Sequence, residues 1–265
     1  MPLLRFTILG CGSSAGVPRI GNNWGDCDPA NPRNHRSRCS LRVERLDGEA
    51  VTRVLIDTSP DVRAQLLAAG VGDVDAVVFT HPHADHIHGI DDLRAIVLNI
   101  GRRLPVCADG PTRNDLLSRF GYVFETPAGS SYPPILEMNH IDGPVTIDGP
   151  GGPITLSPFP AIHGTITALG FRIGALAYLP DVSAMTDEGW AACSDLDVWI
   201  IDALRRKPHP SHAHLERTLE WISRAAPKRA VLTNMHIDLD YATVDAETAD
   251  HITPAFDGMQ IELPV

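Results

Sequence analysis

The chain has no Cys-x-x-Cys pair, and its five cysteines are an odd number among 265 residues. A disulfide framework is therefore not expected, and a reducing compartment is. There is no excess of positive charge: 22 Lys and Arg stand against 33 Asp and Glu, for a formal net charge of −11. That balance argues against a general binder of nucleic acid or anionic membrane and leaves only local basic patches. No apolar run is long enough to span a bilayer, and Met1-Pro2-Leu3-Leu4-Arg5-Phe6 lacks the long apolar region of a secretory leader. A cytoplasmic protein is expected. No repeat of fixed period is present, and the length suits one α/β domain over residues 1–265.

Histidine, by contrast, is concentrated. Three histidines and an aspartate fall within His81-Pro82-His83-Ala84-Asp85-His86, one residue after the run Asp75-Ala76-Val77-Val78-Phe79. The run reads as a short buried strand, and Gly89 to Val97 carries helical spacing of Ile90, Leu93, Ile96 and Val97. The cluster is thus expected on a loop at a strand end, where a rigid scaffold aims side chains into a site. Neutral imidazoles with a carboxylate are usual ligands for Zn, Mn or Fe. One loop cannot close a coordination sphere, so further ligands are expected downstream.

Along the chain, a strand from Leu3 runs into Gly10-Cys11-Gly12-Ser13-Ser14-Ala15-Gly16-Val17-Pro18. A dinucleotide loop must open a helix, and Val17-Pro18-Arg19 does not continue as one, so a tight turn is the reading. The long loop from Gly21 to Arg38 carries Arg33, Arg36 and Arg38. It reads either as a solvated charge run or as a site for anions, because guanidinium forks suit phosphate oxygens. Asp57 ends a strand and reads either as a turn residue or as a group orienting a ligand histidine. Residues 126–134 are rich in Pro, Gly and Ser and read as a loop, a candidate lid. In the second half His163, Asp181 and His236 each lie just beyond an apolar strand, and Asp202 ends another. Leu215 to Ala225 reads as a helix with Leu215, Leu219 and Ile222 as its stripe.

The His-x-His-x-Asp-His run after an apolar strand resembles the metallo-β-lactamase superfamily. The flanks Gly10 to Pro18, Asn31 to Arg38, His86-Ile87-His88-Gly89-Ile90-Asp91-Asp92-Leu93-Arg94 and Pro208-His209-Pro210-Ser211-His212 resemble its PhnP-like branch of phosphoribosyl 1,2-cyclic phosphate phosphodiesterases. The resemblance implies a four-layer αβ/βα sandwich and two divalent ions, Zn or Mn. It implies one ion on His81, His83 and His163, a second on Asp85, His86 and His236, and Asp181 bridging both. It implies attack by metal-activated hydroxide, with Asp85 and His212 as catalytic groups. Arg33, Arg36, His88 and His212 are the candidate phosphate contacts. His209 and His214 are expected to support the site or to lie exposed.

Two departures stand out. The early loop carries one cysteine, Cys27, so no third, structural metal is expected. In that branch the last ligand often follows threonine directly; here Asn234 takes the place, and His236 comes two residues later. A small phosphodiester or nucleotide-like substrate is expected, nucleic acid is not, and self-association as a homodimer stays open. The competing readings are tRNA 3′-end processing, a lactone or thioester hydrolase of the same fold, and a sensor that binds metal or nucleotide without turnover.

Overall fold

Strand and helix segments alternate along the chain, and their boundaries follow local chemistry. The computed structural model describes residues 2–265. In chain order the strands are β1 Leu3–Gly10, β2 Ser40–Asp47, β3 Ala50–Ile56, β4 Ala76–Val78, β5 Leu104–Ala108, β6 Leu136–His140, β7 Val145–Ile147, β8 Ile154–His163, β9 Ile166–Ile173, β10 Leu176–Leu179, β11 Ala184–Met185, β12 Val198–Asp202, β13 Arg229–Thr233, β14 Ile252–Pro254 and β15 Gln260–Pro264. The α-helices are α1 Val62–Ala68, α2 Ala84–Ile87, α3 Leu93–Ile100, α4 Gly110–Phe124, α5 Asp187–Ala192, α6 Leu215–Ala225 and α7 Tyr241–Glu247.

The chain divides into two compact units. The first comprises the residues up to Leu9 with Ser40–Thr155 and Gln260–Val265. Its sheet has the order β15-β1-β2-β3-β4-β5-β6, and β3 through β6 run parallel. One face is covered by α1, α3 and α4, whose Leu66, Leu93, Ile96 and Leu116 pack with Val77, Leu104, Val106 and Leu136 of the strands. Burying a leucine or valine side chain of this kind stabilises by about 1.5–3 kcal/mol. The helix expected from Gly89 instead opens with a 3-10 turn, Ile90–Asp92, before α3. It stops at Gly101, whose φ of 69° is the left-handed conformation glycine adopts without strain. Helix α4 begins at the Asp109 cap, whose side chain accepts from Thr112 N at 2.9 Å. The 126–134 segment is a loop, and its Pro127, Ser130, Tyr132 and Pro133 line a cleft of about 400 Å³ with Arg94 and Tyr122.

The second unit comprises Gly10–Cys39 and Leu156–Met259. Its sheet has the order β11-β8-β9-β10-β12-β13-β14; β8 and β10 are antiparallel to β9, and β10, β12, β13 and β14 are parallel. Parallel strands place their carboxyl ends together, the usual position for ligand-binding groups in such sheets. Helix α6 matches its expected bounds, but Trp221 and Thr218 are buried with Leu215 and Ile222, and Leu219 is only partly so. Helices α5 and α7 are short, and their apolar spacing alone does not announce them. Each instead owes its start to a cap: Thr186 Oγ1 accepts from Gly189 N at 2.9 Å, and Asp240 Oδ1 from Thr243 N at 2.9 Å. All five cysteines are buried, and none forms a disulfide. Among the described residues no helix is long and apolar enough to cross a membrane.

The long early loop is tied to the chain around residue 237. Met235 N donates to Cys11 O at 2.9 Å, Asp26 N to Ile237 O at 2.8 Å, and Asp28 N to Asp240 Oδ2 at 3.1 Å. A side chain at Gly25 would meet Ile237 O at 2.5 Å, so the approach requires glycine. Asp240 thus caps α7 and also receives Asn34 Nδ2 at 2.6 Å from the loop. Burial works to raise the Asp240 carboxyl, but these donors outweigh it and hold it at about 2, below its ordinary 3.8. Asp240→Ala should cost about 1–3 kcal/mol, measured by denaturant unfolding at pH 7. Because the folded carboxyl is the stronger acid, its stabilisation is present above about pH 4 and lost as pH falls through 2. The gap between wild type and variant should therefore close between pH 5 and pH 2; a gap constant over that range would show that the charge on Asp240 is immaterial.

Candidate functional site

In the first unit the His81–His86 run leaves β4 through the fully buried Phe79. Asp57 follows β3 with a φ of 63°, is fully buried, and its N donates to Val78 O at 2.9 Å. Its Oδ1 accepts from Thr80 N at 2.8 Å; its Oδ2 accepts from Thr80 Oγ1 and from His86 Nδ1, each at 2.7 Å. The Thr80 hydroxyl donates its one proton to Asp57, so it accepts from His81 Nδ1, 3.0 Å away. One carboxylate therefore fixes His81 and His86 in the same tautomer, with Nε2 of each left as the ring nitrogen that carries a lone pair. Burial raises the Asp57 carboxyl, and the donors from His86 and Thr80 oppose that rise.

The backbone around this loop is equally constrained. Thr58 N donates to His86 O at 2.8 Å and Gly89 N to Thr58 O at 2.9 Å. A side chain at Gly89 would meet Ser59 O at 2.1 Å. The imidazoles of His81 and His86 lie 4.2 Å apart, and His83 stands edge-on to His81 at 4.7 Å. Asp85 Oδ2 is 3.7 Å from His86 Nε2. His88 is exposed and turns to Phe120 of α4, with ring centroids 5.5 Å apart.

In the second unit β8 ends on His163, which is buried. Its Nδ1 donates to Ser211 O at 2.6 Å, and its Nε2 faces Asp181 Oδ2 at 3.5 Å. Asp181 follows β10, and the next residue, Val182, donates its N–H to Asp202 Oδ2 at 3.1 Å. Asp202 ends β12 and is fully buried; it also accepts from His212 Nδ1 at 2.9 Å and from Asn234 Nδ2 at 3.2 Å. Burial pushes its carboxyl up to about 6, against the pull of His212. The His212 ring lies 4.6 Å from that of His163. Asp202 is a buried carboxylate, bound to His212, that reasoning on the sequence left unassigned. Its only signal there is a carboxylate closing the apolar run Val198-Trp199-Ile200-Ile201.

Other expected residues are placed elsewhere. His236 has both ring nitrogens engaged: Nδ1 with Asp238 Oδ1 at 2.9 Å and Nε2 with Arg19 Nη2. Asn234, with a φ of 60°, instead reaches Asp181 Oδ1 at 3.3 Å. The Arg33 guanidinium lies over the rings of Tyr241 and Phe256, 4.7 and 5.0 Å from their centroids. Arg36 is buried, with Nη2 on Asn34 Oδ1 at 3.2 Å and Nη1 near Cys27 Sγ at 3.9 Å. His209 lies beside His212, with ring centroids 5.2 Å apart, and His214 stands at the N-terminus of α6.

Because Asp57 orients two imidazoles, its loss should be felt as metal binding before it is felt as anything else. Asp57→Asn is expected to weaken divalent-ion affinity about 10–100-fold while the far-ultraviolet spectrum is retained. Unchanged affinity in a metal-competition titration would remove Asp57 from that role.

A family model for the beta-lactamase superfamily domain matches residues 52–237. A solved structure described as a new diphosphatase from the PhnP family is 34% identical, with a TM-score of 0.87 and coverage of 99% of this chain and 98% of that one. Among curated proteins, an octanoyltransferase of Porphyromonas gingivalis is 33% identical over 264 residues, which are 97% of this chain and 51% of that protein. A ribonuclease Z of Clostridium acetobutylicum is 30% identical over 111 residues, 41% of this chain and 29% of that protein. The chain thus spans about half, or less, of the length of the curated relatives it matches. The α/β class with two sheets agrees with the expected fold type. On the family match and the full-length likeness together, the chain belongs to the metallo-β-lactamase superfamily, in its PhnP-like branch.

Proposed function

We propose that this chain is a metal-dependent hydrolase that opens a small phosphodiester. The observation that carries the reading is His212, whose Nδ1 is held by the buried Asp202 at 2.9 Å and whose ring lies 4.6 Å from that of His163. A histidine so held is fixed in orientation by its Nδ1 and stands beside an imidazole that we assign as a ligand. The donor set fits a divalent ion of the Zn or Mn kind: His81, His83, His163 and Asp181 offer imidazole nitrogens and a carboxylate oxygen, with no thiolate. The 3.5 Å between His163 Nε2 and Asp181 Oδ2 suits two neighbouring ligands on a tetrahedral ion. With bonds of about 2.0–2.1 Å, such ligands stand about 3.3–3.4 Å apart. We assign those four residues to one ion and Asp85 and His86, with Asp181 shared, to a second.

Ions bound there would lower the pKa of water towards neutrality and hold negative charge on phosphoryl oxygens. The protein's own share is proton management. Asp202 accepts from His212 Nδ1, so in its imidazolium form His212 carries a second proton, on Nε2, that it can donate to the leaving alkoxide. Once the Nε2 proton has passed to the alkoxide, His212 is left as the neutral ring with its Nδ1–H still on Asp202. Asp202 also fixes Val182 and so the strand end that presents Asp181.

A second reading, a small diphosphate as substrate, is favoured by the 34%-identical relative described as a diphosphatase. Both reactions place attack and charge at phosphorus. The ribonuclease Z likeness covers only 41% of this chain, and a net charge of −11 supplies no overall excess of cations to neutralise RNA phosphates and release their counterions. The acyl transfer in the octanoyltransferase's name is an activity of a protein about twice as long.

A panel of cyclic phosphodiesters, an activated aryl phosphodiester, dinucleoside diphosphates, lactones and thioesters tests the reading. The expectation is a higher kcat/KM for substrates attacked at phosphorus, and faster turnover of any lactone or thioester sinks it. His212→Ala should lower kcat by about 10²–10⁴-fold with metal content unchanged. Loss of metal from that variant, or an unaltered rate, would reject the role given to His212. His81→Ala and His163→Ala should each remove the same ion, read by elemental analysis, and two different ions lost would break the assignment of a shared position.

A further inference from the structure

The residues beyond β13 depart from the family's ligand pattern in a way that the geometry resolves. After Thr233 the chain places Asn234, and its Nδ2 lies 3.3 Å from Asp181 Oδ1 and 3.2 Å from Asp202 Oδ1. An amide N–H donates; it has no lone pair for a cation. The next histidine, His236, is committed twice. Asp238 Oδ1 accepts from Nδ1 at 2.9 Å, so the lone pair rests on Nε2, and there it receives Arg19 Nη2. The nitrogen that would have to bind an ion is therefore capped by a guanidinium, whose charge repels one.

Arg19 is held where it is by more than this contact. Its backbone N donates to Asn23 O at 2.9 Å and its carbonyl O accepts from Asn23 N at 3.2 Å, closing a tight turn. The turn belongs to the loop pinned to the 235–240 chain through Met235, Ile237 and Asp240. The Arg19 Nε–H is buried and makes no hydrogen bond among the described residues. A buried, unsatisfied guanidinium donor is costly, and an anionic oxygen would satisfy it.

We propose that Asn234 takes the place of the last ligand, and that His236 is a positioning residue that presents Arg19 to a phosphoryl oxygen. The second ion position is then one imidazole short and holds its ion less tightly than the first. The inference rests on the metal-dependent reading above and deepens it, because it concerns which of this chain's groups face metal and which face anion.

The experiment uses the full chain and two probes, divalent metal and inorganic phosphate. Metal content and affinity are measured by elemental analysis and competition titration for wild type, His236→Ala, His236→Gln, Arg19→Ala and Asn234→His. Wild type should bind one ion tightly and a second more weakly. The His236 and Arg19 variants should keep both affinities within about twofold, and Asn234→His should tighten the weaker ion by about tenfold or more. Phosphate affinity of the metal-loaded protein should fall about tenfold in Arg19→Ala and His236→Ala, the scale of one hydrogen bond to a charged group. It should fall less in His236→Gln, whose amide oxygen can still accept from Arg19. Loss of an ion from His236→Ala or His236→Gln overturns the proposal, as does phosphate affinity untouched in both Arg19→Ala and His236→Ala. Neither readout uses turnover, so failure of the phosphodiester panel would sink the proposed reaction without touching these results.

Discussion

Two buried carboxylates, Asp57 and Asp202, govern the histidines on which everything else in the two units depends. Neither has any exposure, and an ionised carboxylate in such a place is tolerated only if its lone pairs are filled. Asp57 is filled by Thr80 N, Thr80 Oγ1 and His86 Nδ1, and Asp202 by Val182 N, His212 Nδ1 and Asn234 Nδ2. In each case the partners that make burial affordable are the groups that need orienting. The carboxylate's demand for donors and the imidazole's need for one tautomer are met by the same hydrogen bond.

Both aspartates close strands, at the carboxyl ends of β3 and β12. A strand end supplies rigid backbone on one side and freedom of direction on the other. Thr58 N and Gly89 N, pinned to His86 O and Thr58 O, show how the loop after β4 loses that freedom once the fold is complete. The Cβ-free approach of Gly89 to Ser59 O belongs to the same constraint. Precision at the histidines is thus inherited from the sheet through short hydrogen-bonded loops rather than from side-chain packing.

These relations explain which features can be read in a linear sequence. The run His81–His86 is legible because its donors are neighbours and follow Val77, Val78 and Phe79, which are fully buried as their apolar character implies. His163 and Asp181 are legible as polar residues closing apolar strands. Asp202 is visible in the same way, but its partners Val182, His212 and Asn234 are separated from it by 20, 10 and 32 residues. No local pattern announces them. The short helices α5 and α7 escape for a related reason: with six and seven residues they offer too little periodicity, and a cap at Thr186 or Asp240 is only interpretable once the donor is known. The contact of His236 is equally out of reach of local pattern, because the Arg19 at its Nε2 comes from 217 residues earlier.

The arginines of the early loop make the same point from the side of charge. Sequence counts Arg33 and Arg36 equally as free cations, yet the fold uses each internally. Arg33 spreads over Tyr241 and Phe256, and a cation over two aromatic faces gains about 0.5–2 kcal/mol by staying there. Arg36 is buried against Asn34 Oδ1 and Cys27 Sγ, while Asn34 Oδ1 also accepts from Tyr241 N at 2.8 Å. Arg33 therefore ties the loop to α7 at Tyr241, and Arg36 braces the loop from within by holding the Asn34 that accepts from Tyr241 N. A loop can carry several arginines for one exposed task, with most of them spent on fixing the geometry of the remaining one.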